Sequence, residues 1–130
     1  MRLTPLNPPR DRRSPFHSQG MLVTSAERFV VVAGQVGVRP DGTIGEDIVA
    51  QTTIAMENVA AVLAEAEMGW DSVVSLTIHL TDDSHIRGFT EAAGAFLDPD
   101  PAQRPAATLT IHPQLANPAL LVQIEATAVG

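Results

Sequence analysis

Val73–Leu80 reads VVSLTIHL, an eight-residue stretch in which two sets of side chains alternate. Successive side chains of a β-strand point to opposite faces of the sheet, so this period of two predicts a strand. One face receives Val74, Leu76, Ile78 and Leu80, and the other receives Val73, Ser75, Thr77 and His79. The other predicted elements are placed around this strand.

Helices and further strands are predicted before and after this strand in the sequence. An amphipathic helix is predicted over residues 46–68, because apolar side chains recur there at three-to-four spacing. A second helix is predicted over residues 84–97, after a possible N-cap in Asp82–Ser84. Four further strands are predicted over residues 21–24, 29–33, 105–112 and 120–129, the first two joined by a hairpin turn at 25–28. The order ββ-α-β-α-ββ predicts an α+β fold with two helices packed on one face of a mixed or mostly antiparallel sheet.

Capping residues indicate where the first helix begins and ends. Glu46 and Asp47 suit the positive N-terminal end of its dipole, and Gly69 suits the C′ position. Val38–Gly42 carries a turn signal before this helix, because proline presets φ and glycine tolerates a positive φ.

Length and composition predict one domain. The chain has 130 residues, of which 45% are hydrophobic, and this suffices for a core. Residues 1–13 hold three prolines and four of the eight arginines, and they are predicted to form a flexible arm or an edge segment ahead of a domain over residues 14–130. We expect no signal peptide and no membrane span. The absence of cysteine fits a reducing, cytoplasmic location.

The charge excludes two classes of function. The net charge is −7, and from Ser14 onward four arginines stand against fourteen acidic residues. Such a surface repels a phosphate backbone, so nucleic acid is not an expected partner. The chain also has no lysine, which excludes a Schiff base with pyridoxal phosphate.

The last predicted strand, residues 120–129, is largely uncharged on both faces. A sheet with helices on only one side is expected to have a polar outer face. The half-apolar second face therefore predicts burial against another copy of the chain, and thus a homo-oligomer.

Arg104 is the candidate anion-binding residue. It directly precedes a predicted strand and is the only arginine after Arg87. A guanidinium can hold a carboxylate by two parallel hydrogen bonds. The alternative is a surface ion pair with Asp98 or Asp100, and the spacing does not decide between the two.

Glu125 lies within an otherwise apolar strand and shares a face with Gln123. A buried carboxylate is costly unless it is paired or functional. Glu125 is therefore either functional or a structural partner for an arginine on a neighbouring strand or subunit. Gln123 can hold a water molecule or a carbonyl group.

The histidines show no metal-binding pattern, and neither a metal nor another cofactor is expected. His17, His79, His85 and His112 lack the spacing of helical or β-ribbon ligands, although His79 and His112 can face one another across strands. Gly34 ends a predicted strand, where backbone amides can approach a ligand.

Several stretches, taken together and in this order, resemble the Rid family, also called the YjgF or perchloric-acid-soluble protein family. The likeness covers about residues 14–130. It is carried by Val31–Val36, Gln51, Glu57–Val59, Leu63, Val73–Asp82, Gln103–Ala106 and Ile124–Val129.

The resemblance implies a chorismate-mutase-like fold and a homotrimer with three clefts between subunits. In the deaminase branch, an arginine before the penultimate strand binds the carboxylate of a 2-imino or 2-enamino acid, and water attack releases ammonia and a 2-oxo acid. Arg104 matches that arginine, and Gly34 matches the family's strand-end glycine. The implied substrate-binding positions are Arg104, Phe16, His17, Ala33, Gly34, Thr90 and Ala106.

The chain departs from the family's pattern at several of these positions. Ala33 stands at a frequent serine, Ala106 at a frequent cysteine, and Phe16 or His17 at a frequent tyrosine. The last strand of the family often carries two glutamates, the first of which positions the attacking water. Gln123 stands at the first and Glu125 at the second, and a glutamine orients water without accepting its proton.

The resemblance therefore implies an enamine or imine deaminase in which Arg104, Gln123 and Glu125 are the catalytic residues. We expect weak or substrate-shifted activity rather than none. The alternative is a non-catalytic trimer that binds a small carboxylated metabolite. A third activity reported for some relatives, ribonuclease or inhibition of translation, is disfavoured by the acidic surface.

Overall fold

The computed structural model of this protein describes residues 1–9 and 14–130. In chain order the elements are β1 (Arg2–Leu6), β2 (Gly20–Thr24), β3 (Phe29–Val36), α1 (Ile48–Glu65), β4 (Val73–Leu80), α2 (Ile86–Gly94), β5 (Ala106–Ile111) and β6 (Val122–Val129). Single 3-10 turns precede β4, α2 and β5. This is the predicted order with one additional strand at the N-terminus.

Four strands form one mixed sheet, in the order β3-β6-β4-β5. β6 runs antiparallel to β3 and β4, whereas β4 and β5 are parallel. Because parallel neighbours need a crossover connection, α2 links β4 to β5. The helices α1 and α2 contact one another, and α1 lies against β3 and β6. The predicted α+β class, with two helices on one face of a mixed sheet, is confirmed.

Strand β4 has the predicted bounds and supplies the centre of the core. Leu76, Ile78 and Leu80 are at most 3% exposed. The prediction was wrong at the start of the strand, where a register shift between Val73 and Ser75 turns Val73 into the core and leaves Val74 half-buried. The remaining face of β4 and the matching face of β6 carry no helix, and we call this the helix-free face.

Helix α1 is shorter than predicted at both ends. At its start, Asp47 is the N-cap, and its Oδ1 atom accepts a hydrogen bond of 2.8 Å from the backbone N–H of Ala50. At its end, Glu67 adopts a left-handed φ of 58°, and the N–H of Met68 donates to the carbonyl of Leu63. Glu67, and not the predicted Gly69, therefore occupies the C′ position.

Helix α2 is also shorter than the predicted range of 84–97. It follows a 3-10 turn whose N-cap, Asp82, accepts a hydrogen bond from the N–H of Ser84, and this bond lowers the pKa of the Asp82 carboxyl. After Gly94 the chain continues in i→i−3 hydrogen bonds, from Phe96 to Ala93 and from Leu97 to Gly94. In the described part of the chain, neither helix is long and apolar enough to cross a membrane.

The predicted hairpin between residues 21–24 and 29–33 was wrong. β2 pairs with β1 in a separate two-stranded ribbon, from Arg2↔Thr24 to Leu6↔Gly20, and β3 pairs with β6. Each strand thus finds a partner far away in the sequence. Arg2–Leu6, predicted to belong to a flexible arm or an edge segment, is one strand of this ribbon. Residues 10–13 lie outside the described residues.

Candidate functional site

Arg104 lies between a 3-10 turn and the start of β5. Its Nε atom donates a hydrogen bond of 2.6 Å to the backbone carbonyl of Asp98, and its Nη1 atom donates one of 3.2 Å to the carbonyl of Phe16. The guanidinium carbon lies 5.4 Å from the centroid of the Phe16 ring, within the range of a cation–π contact. Two carbonyls and an aromatic ring therefore fix the orientation of the guanidinium.

The surface ion pair considered for Arg104 does not form. The Asp98 carboxylate accepts a hydrogen bond from the N–H of Asp100, and the Asp100 carboxylate accepts one from the N–H of Ala102. Within residues 1–9 and 14–130, no acidic side chain pairs with Arg104, and its Nη2 atom makes no hydrogen bond. The guanidinium of Arg104 is therefore available to bind an anion.

The loop before β2 is held against this arginine. Ser18 is fully buried; its hydroxyl donates to the carbonyl of Ala102, and its N–H donates to the carbonyl of Pro105. The Phe16 ring packs 5.6 Å from the ring of Phe89, measured between centroids. The loop is therefore an ordered wall beside Arg104.

Five of the predicted site residues lie at this end of the sheet or beside it, and we call them the arginine half: Phe16, His17, Thr90, Arg104 and Ala106. His17 donates through Nδ1 to the carbonyl of Ser18, at 2.6 Å. The Arg104 guanidinium lies close to Gly94 of α2, since a Cβ placed on Gly94 would meet Arg104 Nη2 at 3.6 Å. Thr90 lies one helical turn before Gly94 on the same helix. Thr90 makes its own side-chain hydrogen bond within α2, to the carbonyl of Arg87.

Arg104 also lines a cavity of about 400 Å³ beneath the β1–β2 ribbon. Trp70 is part of its wall, and the indole N–H of Trp70 is buried without a partner in the described part of the chain. The other lining residues are Leu3, Pro5, Met21, Asp71, Val73, Phe96, Leu97, Asp98, Gln103 and Pro105. Sequence reasoning did not find this cavity, because its walls come from five separate segments.

The other predicted site residues form a second group, the glutamine half: Ala33, Gly34, Gln123 and Glu125. Strand β3 has a bulge between Val32 and Gln35, where the register against β6 shifts by one residue. A Cβ on Gly34 would lie 2.4 Å from Nε2 of Gln123. Glycine is therefore required here by the close approach of the Gln123 side chain, and not by a positive φ.

Glu125 is paired with a histidine. His79 Nε2 lies 2.7 Å from Glu125 Oε2, and because a carboxylate only accepts, this nitrogen carries the hydrogen. Within this chain, the partner of Glu125 is therefore a histidine and not the arginine considered from the sequence. His79 also faces His112, as the sequence allowed, with 3.0 Å between Nδ1 of His79 and Nε2 of His112.

The two halves are far apart within one protomer. Ala106 pairs with Ser75 at one end of β4, whereas Gln123 pairs with His79 near the other end, and His79 also pairs with Thr110 of β5. Arg104 precedes Thr110 by six residues, which at about 3.3 Å per residue is roughly 20 Å. A small substrate therefore cannot touch both halves of the same protomer.

No complete metal centre is present among the described residues, since no three His, Asp or Glu side chains are arranged to hold an ion together. Sequence reasoning missed three contacts of the site: the Asp98 and Phe16 carbonyls on Arg104, and His79 on Glu125. The carbonyls leave no trace in the sequence. The pairing of His79 with Glu125 could have been found from the alternation of β4 and β6, once their register was known.

Comparisons with known proteins give one consistent result. The family model described as endoribonuclease L-PSP matches residues 14–130. The chain is 30% identical to the protein DfrA of Myxococcus xanthus over 116 residues, which is 88% of this chain and 85% of that protein. It is 31% identical to a RutC family protein of Synechocystis over 108 residues, 81% of each chain.

Solved structures of similar fold include members of the Rid family. The Rid-family protein YyfB of Yersinia pestis is similar with a TM-score of 0.86 and 30% identity, over 99% of both chains. TdcF of Escherichia coli with bound serine is similar with a TM-score of 0.73 and 26% identity, over 92% of this chain and 91% of that one. RidA of a Psychrobacter species has a TM-score of 0.71 and 26% identity, over 87% of each chain.

Proposed function

Because the chain belongs to the endoribonuclease L-PSP family, which its structural neighbours join to the Rid and YjgF proteins, we propose that it is an imine deaminase. It hydrolyses reactive 2-imino or 2-enamino acids to 2-oxo acids and ammonia. The observation that carries this proposal is the guanidinium of Arg104, which backbone carbonyls hold in place while its Nη2 atom and its charge face no acidic side chain of the described residues.

The substrate binds through its carboxylate. Arg104 accepts this group in a charge-assisted hydrogen bond from Nη2, and the Phe16 ring and carbonyl keep the guanidinium from rotating away. In support, TdcF, a structural neighbour, holds serine, which also carries a carboxylate. An anchored carboxylate fixes the position of the adjacent imine carbon, and such positioning supplies a large part of the rate of a reaction that water already performs slowly.

The glutamine half supplies the water. The substrate reacts as its iminium form: the water oxygen attacks the imine carbon, the π electrons of the C=N bond move to nitrogen, and one water proton passes to Glu125, which gives a neutral carbinolamine. Glu125 returns that proton to the nitrogen, and the C–N bond then breaks as a lone pair of the hydroxyl oxygen forms the C=O bond. The hydroxyl proton passes to the departing ammonia, so a 2-oxo acid and ammonium leave. Gln123 orients the water, and Glu125 is the proton acceptor, with its Oε2 atom held by His79.

The two halves that meet around one substrate come from different copies of the chain. Beside the helix-free face, the edge strand β3 carries exposed apolar side chains, since Val31 is 80% exposed and Phe29 is 69% exposed. Apolar patches of this kind are typical of subunit contacts. Within one copy, the two halves are separated by roughly 20 Å along β5. In a homotrimer, each cleft would bring the arginine half of one copy next to the glutamine half of the next copy. A cytoplasmic location and activity without a cofactor belong to the same proposal.

A non-catalytic trimer that binds a small carboxylate is the second candidate, and Gln123 favours it, because an amide cannot accept a proton from water. Nucleic acid remains a poor partner for a chain with a net charge of −7.

A coupled assay separates these functions. An amino-acid oxidase or a dehydratase generates 2-iminobutyrate or 2-aminoacrylate, and the disappearance of the imine is followed with and without the protein. We expect the protein to accelerate the loss of imine, in proportion to its concentration. No acceleration over buffer, together with a thermal shift on addition of 2-oxobutyrate, would instead identify a binding protein.

A further inference from the structure

We propose that His79 and His112 form a chelating site for a divalent transition-metal ion of tetragonal preference, Cu²⁺ or Ni²⁺, on the helix-free face. The site lies at the end of β4 and β5 that is remote from Arg104. It does not depend on the deaminase reaction, and its test reads metal binding rather than turnover.

Three donor atoms converge at this point. His79 Nδ1 lies 3.0 Å from His112 Nε2 and 3.0 Å from Thr110 Oγ1, and Thr110 Oγ1 lies 2.9 Å from His112 Nε2. The parallel register of β4 and β5 causes this, because His79 pairs directly with Thr110, and His112 follows two residues later on the same side. Thr110 and His112 are exposed in the single chain.

Glu125 prepares His79 as a ligand. By accepting the hydrogen of Nε2 at 2.7 Å, it leaves the lone pair of His79 on Nδ1, the atom that faces His112 and Thr110. Histidines that bind a metal through one ring nitrogen almost always donate the N–H of the other to a carboxylate, a carbonyl or water. A carboxylate partner raises the basicity of the nitrogen that binds the metal.

The separation of the two nitrogens suits coordination of one ion by neighbouring ligand positions. With metal–nitrogen bonds of about 2.0–2.1 Å, two imidazoles at tetrahedral angles would lie about 3.3 Å apart. The observed 3.0 Å corresponds to an angle of roughly 94° at the metal, which is the arrangement of two neighbouring ligands in a square-planar or octahedral complex. Water and the Thr110 hydroxyl are available for the remaining positions.

The test uses untagged full-length protein and titration calorimetry with CuSO₄, NiCl₂ and ZnSO₄. We expect one Cu²⁺ per chain, bound more tightly than Zn²⁺, and an electron paramagnetic resonance spectrum with nitrogen coupling from two imidazoles. His112→Ala removes one nitrogen from that spectrum and lowers the affinity at least about 10-fold, and Glu125→Gln lowers it about 10- to 100-fold.

His85→Ala is the matched control, since His85 lies in the turn before α2 and outside this cluster. It is expected to leave copper binding unchanged. His112 is exposed, so its substitution tests the site even if His79→Ala destabilises the protein. Wild-type affinity in His112→Ala overturns the proposal. So does the absence of binding by the wild type at about 1 mM copper, a concentration that even a weak two-imidazole chelate fills.

Discussion

Replacement of Arg104 by alanine is expected to lower kcat/KM for 2-iminobutyrate by about 10- to 150-fold. A charge-assisted hydrogen bond contributes about 1.5–3 kcal/mol, and a loss of that much transition-state binding slows the reaction by this factor, since about 1.4 kcal/mol is tenfold in rate. The loss should appear in both kcat and KM, because the carboxylate contact holds the substrate in place and also aligns its imine carbon.

Two further variants make this result specific. Arg104→Lys keeps the positive charge but loses the planar fork that contacts the Asp98 and Phe16 carbonyls, so an intermediate rate is expected. Arg39→Ala removes an arginine paired with Glu46 on the surface, and it should react like the wild type. If the wild type is active and Arg104→Ala reacts within twofold of it, the assignment of the carboxylate site is wrong.

Replacement of Phe89 by alanine is expected to destabilise the protein by about 3–5 kcal/mol. Phe89 lies on α2 and is 1% exposed in the core. A small domain is stable by only about 5–15 kcal/mol, so this loss removes a large share of the total. Urea unfolding followed by circular dichroism measures it as a fall in the midpoint.

The same variant should also weaken the site at temperatures where it remains folded. The Phe16 ring packs on Phe89, and the carbonyl of Phe16 holds Arg104, so the cavity left by Phe89→Ala loosens the arginine half. Ile86→Ala is the control on the same helix, because Ile86 is 39% exposed and should cost less than about 1 kcal/mol. A loss below about 1 kcal/mol in Phe89→Ala would contradict the described packing.

The individual helices and strands could be predicted from the sequence, because the spacing of hydrophobic residues differs between a helix and a strand. β4 has the predicted bounds, and the stripe of α1 places Ala55, Val59 and Leu63 in the core. Strand pairing was harder to predict. The supposed hairpin at residues 25–28 failed because β1, rather than β3, pairs with β2, and nothing local distinguishes these partners.

The site was predictable in its members but not in its arrangement. The resemblance identified Arg104, Gly34, Gln123 and Glu125 as one group, whereas the register of β4 divides them between two ends of the sheet. The partner of Glu125 depends on which strand lies beside β6, and this is a tertiary property. Arg104 was identified by its isolation in the sequence, but the two carbonyls that orient it were not predictable.

The proposed shared site, in which the arginine half of one copy meets the glutamine half of another, is tested by mixing two inactive variants. One is Arg104→Ala, and the other is the double variant Gln123→Ala with Glu125→Gln. They are unfolded and refolded together in equal amounts, and the mixed trimers are separated and assayed with 2-iminobutyrate. In a mixed ring of three copies, whichever variant is present twice, one cleft of the three receives two intact halves, so about a third of the wild-type rate is predicted for the separated mixed trimers. Mixed trimers that react no faster than the two separate variants would contradict the shared site.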